Sequence, residues 1–113
     1  MKKGYIAEKE RMDMLKAKGY KVFRVSGSIG ACDLLVVKKI NDGFSVWQEQ
    51  VKNCKRRVFY FDKKAEEEWR RLYKDFVKFN IPAYFVVRFV LKRKITWIEI
   101  EVNMEKPPKK IRG

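Results

Sequence analysis

The stretch CDLLVVKKINDGFSVWQEQVKNCK, residues 32–55, reads as a β-hairpin and fixes how the rest of the chain is arranged. DLLVVKKI is an apolar run of strand length, NDG at 41–43 is a turn, and FSVWQEQVK at 44–52 is the returning strand. Side chains alternate along a strand, so Gln48, Gln50 and Lys52 share one face, while Trp47, Glu49 and Val51 share the other. Glu49 is thereby turned away from Lys52. Closing the ladder at the turn brings Asp33, at the mouth of the first strand, beside Gln50–Lys52 at the end of the second. The apolar residues Leu34 to Val37 wall this polar group on one side.

Working outward, KGYIAEKERMDMLKAKGY is a helix with Tyr5, Met12 and Leu15 on one face and Gly19 as its stop. Glu8 falls on that face and Glu10 roughly opposite, towards solvent. A carboxylate turned to a core is costly unless something pairs with it, and a metal ion or Lys52 is the expected partner. KVFRV is a short strand, and SGSIGA a loop. After the basic patch NCKRR, VFYF leads to a second helix capped by Asp62. Its early turns carry Glu66, Glu67 and Glu68, which suit the positive end of the helix dipole. Its expected buried stripe is Ala65, Trp69, Leu72, Tyr73, Phe76 and Val77. Two strands, AYFVVRFV and TWIEIEV, flank a basic turn at 91–94. The Pro- and Lys-rich segment 103–113 reads as a mobile tail. The expectation is an α/β single domain over 1–102, a mixed central sheet flanked by helices in the order α-β-β-β-α-β-β, followed by the tail at 103–113.

Composition narrows the chemistry. In 113 residues, 28 Lys and Arg against 14 Asp and Glu leave a net charge of +14. Three Trp, five Tyr and eight Phe argue for a packed core rather than a disordered basic tail. A basic domain of this kind meets a polyanion, because released counterions drive binding, and DNA is the expected partner. There is no histidine, which excludes a histidine base or a Ser-His-Asp triad, and the two cysteines have no zinc-site spacing. No apolar run reaches transmembrane length and the N-terminal residues lack a signal peptide's apolar centre, so a cytoplasmic protein with no membrane contact is expected. Catalysis here must run on carboxylates, lysines and a bound metal ion.

Those residues suit phosphodiester hydrolysis. Mg²⁺ prefers oxygen ligands, and the expected set is Asp33, the amide oxygen of Gln50, the backbone carbonyl of Val51, and Glu8 through water, with Mn²⁺ substituting. Lys52 would orient the attacking water or stabilise developing charge. Ser26 and Ser28 would hold the neighbouring phosphate, and Lys55, Arg56, Arg57, Lys63 and Lys64 would contact the DNA backbone. Taken singly, each part has a plainer explanation: Asp33 as a turn residue, Gln-x-Lys as surface, the lysines as a solvated patch. Their joint occurrence in this order favours the site.

Over residues 3–102 the chain resembles the archaeal Holliday junction resolvases of the PD-(D/E)xK, restriction endonuclease-like superfamily. KGYIAEKE is similar to that family's opening KG…AERE, which implies a catalytic role for Glu8. FRVSGSIGACDLLV resembles its serine- and aspartate-bearing segment, implying roles for Ser28 and Asp33. QEQVK stands where the family has I-E-V-K, which gives Lys52 the lysine's part and leaves Gln50 in place of a carboxylate. The resemblance implies a metal-dependent endonuclease, archaeal or viral, acting as a homodimer that cuts four-way junctions symmetrically. Three other readings stand beside it: a nuclease of the same superfamily cutting flaps, nicks or duplex DNA in repair or defence; a non-catalytic DNA-binding module in which Gln50 marks a decayed site; and a small basic ribosomal or chromatin protein, which explains the charge but not Glu8 on a buried face.

Overall fold

The structure, a computed structural model, describes residues 3–25 and 32–113. The hairpin at its centre is β2 (Leu34–Ile40) and β3 (Gly43–Cys54), antiparallel, with Ile40 opposite Gly43 so that Asn41 and Asp42 make the turn. β1 (Lys21–Arg24) pairs antiparallel with the other edge of β2. Beyond β3 the chain forms β4 (Val58–Tyr60) and α2 (Lys63–Phe79), then returns as β5 (Ala83–Leu91), parallel to β3. β6 (Lys94–Glu101) turns back antiparallel on β5, giving a mixed five-stranded sheet in the order β1-β2-β3-β5-β6.

A helix covers each face. α1 (Lys3–Ala17) buries Ala7 and Leu15 against Val22, Leu34, Val36 and Val51. α2 buries Ala65, Trp69 and Leu72 against Cys54, Phe85, Val87 and Phe89. The parity of β3 therefore holds: Val51 points to the α1 side and Cys54 to the α2 side. β5, covered on both faces, is correspondingly an almost unbroken apolar run. Asp62 caps α2 by accepting the Ala65 N–H at 2.8 Å, and Gly19 ends α1 with a positive φ of 91°.

Four expectations about these elements need correction. The buried row of α1 is Ala7, Arg11 and Leu15, about 60° round the helix from the predicted face centred on Glu8. Arg11 is only 3 % exposed. It is tolerated there because Glu49 accepts from both Nε (2.8 Å) and Nη2 (3.1 Å), with Glu99 on the same guanidinium. Glu10 does not face solvent but accepts from Arg88 Nε of β5 at 2.6 Å. On α2, Val77 lies outside the buried stripe at 64 % exposure, because it sits about 110° round the helix from the row of Ala65, Trp69 and Leu72. Finally, the residues expected as a mobile tail include β7 (Lys110–Arg112), paired antiparallel with β4 so that Phe59 faces Ile111. Ile111 is buried, and the Trp69 indole N–H donates to the Met104 carbonyl at 2.8 Å. Two buried residues, Pro107 and Ile111, and one indole hydrogen bond hold a segment whose composition is otherwise that of a solvated tail. Among the described residues no helix is long and apolar enough to cross a membrane.

Candidate active site

β2 and β3 are unequal in length, and the site sits at the step between them. The ladder starts at Leu34 opposite Glu49, and Asp33 N–H still bonds the Glu49 carbonyl at 2.9 Å. Beyond that point β3 runs on through residues 51–54 past the start of β2. Asp33 fills the step with its side chain: Oδ2 accepts the Val51 N–H at 2.8 Å and Gln50 Nε2 at 3.0 Å. In a strand the N–H and C=O of one residue point the same way, so the Val51 carbonyl also faces this side. The result is a cleft of about 500 Å³ with Glu8, Asp33, Gln50, Lys52 and Glu68 among its lining residues.

The four side chains singled out by sequence thus reach one cleft from three elements, but not with the partners expected. Glu8 flanks the buried row of α1 and pairs with neither Asp33 nor Lys52; Arg24 Nε of β1 donates to it at 3.2 Å. Arg24 in turn stacks its guanidinium over the Tyr5 ring at 4.8 Å. Lys52 Nζ lies 2.5 Å from Glu68 Oε1 of α2. Gln50, almost fully buried, donates from one nitrogen to both Asp33 and Glu68 Oε2, the latter at 3.1 Å. Glu49 is turned to the opposite face, as parity requires, and is held there by Arg11 and the Trp47 indole.

Glu68 was legible only in part. Its early place in α2 suits the helix dipole, yet it also lies three residues after Ala65 and four before Leu72. The rule that singles out Glu8, an acid turned towards the sheet, applies equally to Glu68.

Electrostatics follow from this crowding. Burial pushes the Asp33 carboxyl up to about 6; the Val51 N–H opposes the rise, and the charges of Glu8 and Glu68 add to it against Lys52. Neighbouring Cys32 is pushed up to about 12, chiefly by burial and then by the Asp33 charge, which disfavours the thiolate. Among the described residues no three His, Cys, Asp or Glu side chains converge as a ready ligand set. The Gln50 amide stands between Asp33 and Glu68, and Arg24 holds Glu8.

Of the proposed backbone contacts, Lys55 and Lys64 line the cleft, whereas Arg56, Arg57 and Lys63 are exposed outside it. Ser26 and Ser28 lie outside the described residues. The parallel register of β3 and β5 sets Cys54 beside Phe89. The basic turns 55–57 and 92–94 therefore project from the same end of the sheet as the cleft.

This architecture, one α/β domain with a mixed sheet between two helices and a polar cleft at the strand ends, is that of a resolvase-type nuclease fold. The chain superposes on the solved structure of Hjc from Archaeoglobus fulgidus, a Holliday junction resolvase from an archaeal hyperthermophile. The TM-score is 0.67 with 25 % identity, over 98 % of this chain and 84 % of that one. No family model matches the sequence, and no curated protein matches it.

Proposed function

We propose that this chain is a metal-dependent, structure-selective DNA endonuclease that hydrolyses phosphodiesters at four-way junctions. The observation that carries the reading is the meeting of Asp33, Gln50, Lys52 and Glu8 in one cleft, at the basic end of a fold shared with a junction resolvase. The donors suit Mg²⁺: they are hard oxygens, and the charges of Glu8 and Glu68 crowd Asp33 in one cleft. Asp33, Gln50 through its amide oxygen, the Val51 carbonyl and, through water, Glu8 are the residues that would hold the ion, with Mn²⁺ as a substitute. When bound, such an ion lowers the pKa of a coordinated water and offsets charge developing on the phosphate.

The chain's own residues do the positioning. The Val51 N–H fixes the Asp33 carboxylate at the sheet step. Gln50 presents a side chain that can turn its amide, donating now and accepting when a cation is near. Lys52 holds an ammonium against the cleft wall, where it orients the attacking water or meets negative charge as it forms. Lys55 and Lys64 at the rim, with the exposed Arg56, Arg57 and Lys63, contact phosphates and read shape rather than sequence. A four-way junction calls for two symmetric cuts, which a two-fold homodimer in the cytoplasm would deliver.

A second reading is favoured by one observation: Gln50 already ties Asp33 to Glu68, as a decayed DNA-binding module would. The test is cleavage of a labelled four-way junction, with flap and linear duplex substrates alongside, in Mg²⁺ and Mn²⁺, for wild type, Asp33→Asn and Lys52→Ala. Paired metal-dependent nicks in the junction that vanish in both variants support the resolvase. Cuts in flaps or duplex instead make it a different nuclease of the same fold. Salt-sensitive binding without any cut leaves the binding module.

A further inference from the structure

We propose that Glu68 of α2 supplies the carboxylate ligand that Gln50 fails to supply on β3. The inference rests on the metal-dependent reading above and assigns to the second helix a part of the site that the strand has given up.

Three geometric facts carry it. First, a single nitrogen, Gln50 Nε2, lies 3.0 Å from Asp33 Oδ2 and 3.1 Å from Glu68 Oε2. The partial positive charge of the amide hydrogens therefore stands between two carboxylates, where electrostatics would draw a cation. Second, both Glu68 oxygens are turned to the site: Oε1 lies 2.5 Å from Lys52 Nζ and Oε2 takes the Gln50 amide, and a carboxylate oxygen with one such partner keeps a further lone pair. Third, Glu68 is not on a flexible arm. The Asp62 cap and the buried Ala65, Trp69 and Leu72 fix this turn of α2 against the sheet, which is the rigidity a metal ligand needs.

Charge explains why the position matters. A carboxylate at the end of β3 would stand directly beside Asp33; the neutral amide of Gln50 removes that charge, and Glu68 restores it from the other side. A glutamate kept only to neutralise Lys52 would not need its second oxygen within reach of the amide that also bonds Asp33.

The experiment is calorimetric titration of the full chain with Mn²⁺ alone, without DNA, for wild type, Glu68→Gln, Gln50→Glu and the exchange Gln50→Glu/Glu68→Gln. Circular dichroism and unfolding check that each variant folds. Glu68→Gln is expected to weaken Mn²⁺ binding by about tenfold or more, and the exchange to bring it back to within about threefold of wild type. Metal-dependent cleavage should follow the same order. Should Glu68→Gln fail to fold, Gln50→Glu against the exchange makes the same comparison: the variant with both acids is expected to bind about tenfold tighter. Glu68→Gln binding Mn²⁺ like wild type, or Gln50→Glu binding it no more tightly than the exchange, overturns the Glu68 assignment and leaves the nuclease reading intact. Wild type that binds no Mn²⁺ overturns both.

Discussion

Asp33 and Gln50 face each other across the step between β2 and β3, and the amide of one donates to the carboxylate of the other at 3.0 Å. The same carboxylate oxygen takes the Val51 N–H, so one acid both terminates the hairpin and anchors the candidate metal site. Structural and chemical duties on one half-buried acid pull in opposite directions, and that conflict is measurable.

Asp33→Asn is expected to raise stability at neutral pH while abolishing cleavage. In the folded chain Asp33 is pushed up to about 6, above the usual 3.8. A carboxyl whose folded value is raised contributes stability that is full below pH 3.8 and lost as pH climbs through 6. The gap corresponds to at most about 3 kcal/mol, since one pKa unit is about 1.4 kcal/mol. Asparagine keeps an oxygen for the Val51 N–H and carries no charge. In chelator at about pH 7.5 the variant should therefore be about 1–3 kcal/mol more stable than wild type, and this advantage should shrink towards about pH 4. Denaturant unfolding at both pH values decides; an advantage that does not change with pH would sink the account.

The Arg11–Glu49 pair predicts a large loss and a specific rescue. Both side chains are almost wholly buried, and Arg11→Met would strand the Glu49 carboxylate with only the Trp47 indole as a donor. The expected cost is about 3–5 kcal/mol. Replacing both partners, Arg11→Met with Glu49→Leu, removes the uncompensated charge and should recover most of it, as measured by urea unfolding. A double variant no more stable than the single one would mean that packing around the guanidinium, not the stranded charge, sets the cost.

That pair also marks where sequence reading stops. The hairpin, the capped second helix and the parity of β3 follow from local rules: alternation, turn residues and a capping aspartate. The first helix does not, because the centre of its buried row is an arginine, and periodicity counts an arginine as solvent-facing. Only Glu49 and Glu99, 38 and 88 residues away, make that position tenable. The candidate site divides in the same way. Asp33, Gln50 and Lys52 are legible since one hairpin register brings them together. Glu68 enters from a helix whose approach to β3 no local pattern specifies, and the Arg24 partner of Glu8 depends on where β1 lies in the sheet.

Ile111→Ala is expected to destabilise the whole domain by about 2–4 kcal/mol, the usual cost of truncating a buried aliphatic side chain. Ile111 is 5 % exposed and joins the α2-side core, opposite Phe59 in the β4–β7 ladder. A solvated tail would give almost no change. Thermal unfolding of wild type and Ile111→Ala separates the two outcomes, and limited proteolysis should find segment 103–113 protected in the first and cleaved in the second.

The register of the sheet makes a prediction about salt. Cys54 beside Phe89 puts Lys55–Arg57 and Lys92–Lys94 at the cleft end, whereas Lys39 lies near the β2–β3 turn at the opposite end. Each cation that meets a phosphate releases counterions and steepens the fall of log affinity with log salt by about 0.9. Replacing Lys55, Arg56 and Arg57 together by alanine should therefore flatten that slope by about 2–3 for a four-way junction, and the 92–94 triple variant by a similar amount if all three side chains reach phosphates. Lys39→Ala should leave it unchanged. All these side chains are exposed, so folding is not expected to confuse the comparison. Binding titrations at several salt concentrations in chelator, where no cut occurs, give the slopes. A flattening by Lys39→Ala equal to one third of either triple variant would mean that net charge, not this end of the sheet, holds the DNA.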